Sequence, residues 1–145
     1  MADPMTGLLN KRGFDKHVKG VIGYAERYAK DAPLSLALYS VDGFNGVRSR
    51  YGDLVAYAMI RYVGGLLSNT HRRGFEAVAR VGDDTGNMEE FAAIQHETDA
   101  DAKKMALMLQ GALNDKPFVL PEDDGKLVIG ISFGIKQWSE KMGAD

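Results

Sequence analysis

Two short β-prone runs flank a stretch made almost wholly of turn formers. Ala77, Val78, Ala79 and Val81 make one run, Phe91, Ala92, Ala93 and Ile94 the other, and Gly82, Asp83, Asp84, Thr85, Gly86 and Asn87 lie between them. Glycine, asparagine and aspartate tolerate positive φ or bond their own backbone, so the chain reverses here and Glu76 to Gln95 reads as a β-hairpin. Just past the turn stand Glu89 and Glu90, the most informative carboxylates in the chain.

The remaining elements can be laid out around this hairpin. Lys11 and Arg12 lead into a helical pattern with Phe14, Val18, Val21, Ile22, Ala25 and Tyr28 on one face, which is read as core. Leu34 to Val41 is short and apolar, bounded by Pro33 and by Asp42-Gly43, as a buried strand would be. Phe44 to Tyr51 forms a brief helix ending at Gly52. Asp53 then caps a longer one running to about Asn69, with Val55, Ala58, Met59, Tyr62, Val63, Leu66 and Leu67 repeating at three and four. Thr98 or Asp99 starts a further helix that buries Ala102, Met105, Ala106, Leu109 and Leu113 and ends near Asn114. Pro117, Pro121 and the acids before Gly125 make a loop, and Leu127 to Ile135 a last strand, bent at Gly130 and Gly134.

One core suits 145 residues of which 45% are hydrophobic. A net charge of −2 offers no basic field for nucleic acid or acidic membranes. Cysteine is absent, so disulfides and zinc-thiolate sites are excluded, in keeping with a cytoplasmic location. No apolar run is long enough to span a membrane.

The element order, a helix followed by β-α-β-β-α-β, predicts an α+β single domain: an antiparallel ferredoxin-like or palm-type sheet with helices on one face and an extra N-terminal helix. A right-handed crossover makes the first two strands parallel and leaves room for the third between them. Ser40 to Asp42 should then lie beside the turn that carries Glu89 and Glu90. Carboxylates converging from a strand end and a hairpin suit metal-assisted phosphoryl or nucleotidyl transfer, because Mg²⁺ takes oxygen ligands and a triphosphate needs its charge neutralised.

Several stretches resemble the GGDEF domain of diguanylate cyclases, the run from Gly43 to Gly52 among them. Met88-Glu89-Glu90-Phe91 keeps the last three letters of its Gly-Gly-Asp/Glu-Glu-Phe signature. Asp3-Pro4-Met5-Thr6-Gly7-Leu8-Leu9-Asn10-Lys11-Arg12 matches nearly all of its opening D-x-L-T-G-L-x-N-R-R, and Ser132-Phe133-Gly134-Ile135 echoes its S-I-G-I/V-A strand. The resemblance implies one domain over residues 1–145, lacking the family's C-terminal helix and strand and the phosphate-binding Lys and Arg on that helix. It also implies that much of the site is lost. Ser40 stands in place of the metal-binding Asp, Arg48 in place of the Asn that holds guanine, and Tyr57 in place of its Asp partner. Asn87 and Met88 replace the signature glycines, whose missing side chains let the backbone approach a substrate. A neutral hydroxyl is a poor Mg²⁺ ligand beside a carboxylate.

No catalytic residue is therefore expected, Glu89 and Glu90 being vestigial. The leading expectation is a catalytically degenerate GGDEF domain serving as a regulatory or interaction module in cyclic dimeric GMP signalling, with other domains of its chain or a partner protein. A first alternative is a working cyclase that joins two GTP across a homodimer, with Asp42, Glu89 and Glu90 on the metal; Mg²⁺ is expected only where nucleotide is bound. A second is a receptor in which Arg73 and Glu76, four residues ahead of Arg80, stand at the family's inhibitory R-x-x-D site for cyclic dimeric GMP, the Arg fork bonding phosphate and guanine while the acid takes a base N–H.

Blander roles are open to the same residues. Glu89 and Glu90 could be solvated acids at a hairpin edge, Asp42 a cap for the helix after Gly43, and Asp83 and Asp84 plain turn residues. His17, His71 and His96 have no partner spacing and read as solvated histidines. Trp138 either packs on the core or meets a further segment.

Overall fold

The structure, a computed structural model, describes residues 1–28, 31–71, 74, 76–82, 89–121 and 125–138. Its elements are α1 (Lys11–Tyr28), β1 (Ser35–Val41), α2 (Phe44–Tyr51), α3 (Asp53–Thr70), β2 (Ala77–Arg80), β3 (Glu89–Gln95), α4 (Asp99–Asp115), β4 (Phe118–Val119), β5 (Lys126–Leu127) and β6 (Ile131–Gln137). The main sheet has the order β2-β3-β1-β6, every neighbour antiparallel. β1 and β2 therefore run parallel with β3 between them, as the crossover rule requires.

Alternation along the strands divides the core in two. Ala37, Tyr39 and Val41 on β1 and Phe91 and Ala93 on β3 pack with Phe44 and Val47 of α2, Met59, Ile60, Val63 and Leu67 of α3, and Ala106, Leu109 and Leu113 of α4. Ala92 and Ile94, pointing the other way, meet Phe14, Val21 and Ala25 of α1 together with Leu34, Ala79 and Trp138. The helices expected on one face are α2, α3 and α4, and the extra N-terminal helix α1 covers the opposite face. An amphipathic stripe says that a helix is buried, not against which side of a sheet. Trp138 packs on the core, in the α1 cluster.

Further differences are local. Tyr28 is not core but 72% exposed, its ring tilted against that of Tyr24 at the end of α1. Asp53 does not cap α3; Gly52 holds the N-cap position and Asp53, in the first turn, pairs with Arg48. Asp42 does not cap α2 either, since the cap there is Gly43 at φ 72° with no side-chain bond, a conformation that glycine adopts without strain. The last strand is broken before Gly130. Lys126 and Leu127 pair with Phe118 and Val119 in a separate small hairpin, and β6 begins only at Ile131. α4 starts as expected, its Thr98 hydroxyl accepting from the Asp101 amide.

Candidate functional site

The C-terminal end of β1 and the N-terminal end of β3 lie side by side. The register places Ser40 opposite Glu90 and Val41 opposite Glu89, and on the other flank Ser40 opposite Ser132 of β6. β3 begins at Glu89, so both acids belong to the strand and not to the turn. Successive side chains of a strand point to opposite faces, and the two carboxylates diverge accordingly.

Glu90 lies on the Ser40 face, half-buried, its Oε2 3.5 Å from the Ser40 hydroxyl. Asp42 is exposed just beyond the strand end and accepts a hydrogen bond from the Ser132 hydroxyl at 3.0 Å. Glu89 turns inward and is 1% exposed; its Oε1 accepts from Nε of Arg80, itself 8% exposed. The solvated reading therefore fails for Glu89. Arg80 also donates through Nη1 to Asp3 at 3.1 Å. Asp3 closes the N-terminal turn by accepting from the Thr6 hydroxyl at 2.7 Å and the Thr6 amide at 2.9 Å. Burial disfavours the ionised Asp3, but the bonds from Thr6 and Arg80 outweigh it and hold this carboxyl below its usual value.

Asp42, Glu89 and Glu90, the acids a metal would draw on, thus have separate surroundings, and among the described residues no three His, Cys, Asp or Glu side chains gather as a cation site needs. The geometry does not fit a Mg²⁺ ion held by these acids together.

Where guanine would be read, Arg48 is engaged at 2.8 Å with Asp53. Tyr57 is half-buried against the α3-side core. At the candidate ligand site before β2, Glu76 Oε2 accepts from the His96 amide at 3.1 Å. Arg73, its proposed companion, lies outside the described residues, as do Asp83, Asp84, Thr85, Gly86, Asn87 and Met88.

His71 was not legible as a core residue. It caps the C-terminus of α3, is 3% exposed, and lies with Nε2 3.3 Å from the Tyr39 hydroxyl, its buried Nδ1 without a hydrogen-bond partner among the described residues. Burial holds its pKa down against the opposing charge of Glu76, and burial pushes the Tyr39 hydroxyl up to about 12. The only hint in the sequence is its position at the close of an apolar helix.

Comparison with known proteins bears on this arrangement directly. The family model for "Diguanylate cyclase, GGDEF domain" matches residues 1–145. An uncharacterized membrane protein of Staphylococcus epidermidis is 28% identical over 134 residues, covering 92% of this chain and 35% of its own length. One from Staphylococcus haemolyticus is 27% identical over 139 residues, with 95% and 36% covered. The chain thus spans about a third of these relatives, and none of its described helices is long and apolar enough to cross a membrane. Among solved structures, the coiled coil and GGDEF domain of DgcB from Caulobacter crescentus, in complex with c-di-GMP, superposes with a TM-score of 0.84 at 20% identity, covering 97% of this chain and 70% of that one. The FimX GGDEF domain of Pseudomonas aeruginosa gives 0.79 at 22%, covering 97% and 81%. The diguanylate cyclase SiaD of the same organism, in complex with its activator SiaC, gives 0.78 at 19%, covering 94% and 49%.

Proposed function

From the premise that the chain belongs to the diguanylate cyclase GGDEF family, we propose that it is a catalytically degenerate member, acting in the cytoplasm as a regulatory or interaction module of cyclic dimeric GMP signalling. The observation that carries this reading is the pairing of Ser40 with Glu90 at the end of β1. A cyclase needs a second carboxylate there to neutralise the triphosphate with a metal, and a hydroxyl contributes no charge. The engagement of Arg48 with Asp53, of Tyr57 with the core and of Glu89 with Arg80 removes further groups from the space a nucleotide would enter. Mg²⁺ enters this reading only as the companion of a bound nucleotide. Incubation with GTP and Mg²⁺, followed by product detection, tests it: no cyclic dimeric GMP is expected, and turnover abolished by Glu90→Ala would establish the cyclase reading instead.

The receptor reading draws support from the c-di-GMP complex of DgcB. It asks Glu76 to exchange its bond with the His96 amide for one with the ligand, at a cost in affinity. Partners under either reading are further signalling domains, a second protein or a second copy of this chain.

A further inference from the structure

Arg80 and Glu89 from the two strands of the hairpin and Asp3 from the distant N-terminal turn meet in one buried ion-paired group. A carboxylate with 1% exposure is strongly disfavoured unless an opposite charge compensates it, and Arg80 supplies that charge from within the chain. Its planar fork reaches Glu89 through Nε and Asp3 through Nη1. The Arg80 amide also donates to the Leu9 carbonyl at 2.9 Å, and the Asp3 amide to the Leu8 carbonyl, so side chain and backbone together fasten the N-terminal turn to the edge of β2. On the other side of the group, the Val81 and Gly82 amides both donate to the Glu90 carbonyl and close the hairpin next to Glu89.

We infer that Arg80 is the internal counter-ion of the signature hairpin: it occupies Glu89 as a cation would, and couples the hairpin mechanically to the turn around Asp3. A divalent cation at Glu89 would have to displace the buried guanidinium from it. Glu90, on the opposite face, lies beside the neutral Ser40 hydroxyl at 3.5 Å. This goes beyond a loss of catalysis, because it assigns the first signature acid a different role, as the anchor through which movement of the N-terminal turn reaches the hairpin.

The test needs no nucleotide, so its outcome is independent of whether the domain turns over GTP. Mn²⁺ uptake is measured by the paramagnetic signal of the free ion for the wild type and Glu89→Gln, alongside native-state amide exchange. Equal uptake by the two proteins is expected, with exchange of the Thr6 and Arg80 amides at least tenfold faster in the variant and that of Ala106 in α4 unchanged. Uptake in the wild type that Glu89→Gln removes, or unaltered exchange at Thr6, overturns the inference. Should Glu89→Gln fail to fold, Asp3→Asn probes the coupling from its other end. Faster exchange at Val81 and Gly82 is then expected, and no change there refutes the coupling.

Discussion

Ser40 of β1 stands directly across from Glu90 of β3, the serine hydroxyl 3.5 Å from the carboxylate. This spacing makes a gain-of-charge experiment informative. Ser40→Asp would place two carboxylates side by side, a like-charge pair that costs a cross-strand sheet about 0.2–1 kcal/mol. We expect lower thermal stability than wild type in chelator and recovery of the difference in millimolar Mn²⁺. A variant equally stable with and without Mn²⁺ would show that the two positions do not converge. Product formation from GTP is not expected even here, since Arg48 and Tyr57 remain where the base-reading pair would stand. In the wild type, where Ser40 stands in place of that carboxylate, the lost transition-state stabilisation by itself is worth several kcal/mol, a rate loss of orders of magnitude.

The glycine at the mouth of the hairpin is set by packing. A Cβ on Gly82 would fall 2.7 Å from the Glu90 backbone nitrogen, whereas one on Gly134 in β6 meets nothing within 4 Å. Gly82→Ala must push the backbone away from Glu90, and a cost of about 1–3 kcal/mol in urea unfolding is expected. Gly134→Ala, measured beside it, should be neutral or slightly stabilising.

His71 gives the fold an acid-sensitive component. Its folded pKa lies below the usual 6.5, so the unfolded chain takes up the proton first. The stabilisation from keeping it neutral is present in full above that usual value and is lost progressively as the pH falls below it, levelling off beneath the folded pKa. Urea midpoints should fall from about pH 7.5 to about pH 5.5, a window above that of ordinary carboxylates. His71→Gln should flatten this part of the profile. An equally steep profile in the variant would assign the acid sensitivity to other groups.

The neighbourhood of Ser40 and Glu90 was legible because it follows from two robust signals, period-two apolar runs and the crossover that makes β1 and β2 parallel. The surroundings of each acid were not. Whether Glu89 or Glu90 turns inward depends on register, and a shift of one residue exchanges the faces of the whole strand. That Arg80 lies opposite Phe91, and so within reach of Glu89, is visible only once the hairpin is paired. Asp3 belongs to the opening run that carries the family resemblance, yet its partner lies 77 residues away. β4 and β5, at two residues each, are too short for any periodicity to register. α2, by contrast, ran from Phe44 to Tyr51 as read, because Gly43 and Gly52 punctuate it at both ends.

Titration calorimetry with cyclic dimeric GMP separates a receptor from a pure interaction module. In a receptor the ligand phosphates pair with Arg73 while Glu76 accepts from guanine. Arg73→Ala then removes a charge-assisted bond of about 1.5–3 kcal/mol, roughly a tenfold to hundredfold loss of affinity. The bond from the His96 amide to Glu76, 3.1 Å in the free protein, competes with the ligand for the same carboxylate. Aspartate at this position is one methylene shorter; it gives up the reach to His96 and presents its oxygens nearer the backbone. Glu76→Asp is therefore expected to tighten binding, and Glu76→Gln, which cannot accept through a charged oxygen, to weaken it. Heat that appears with wild type, shrinks with Arg73→Ala and grows with Glu76→Asp would establish the receptor. No heat for wild type and Glu76→Asp alike would leave Glu76 the simpler task of holding the start of α4's approach against β2, and the domain that of an interaction module.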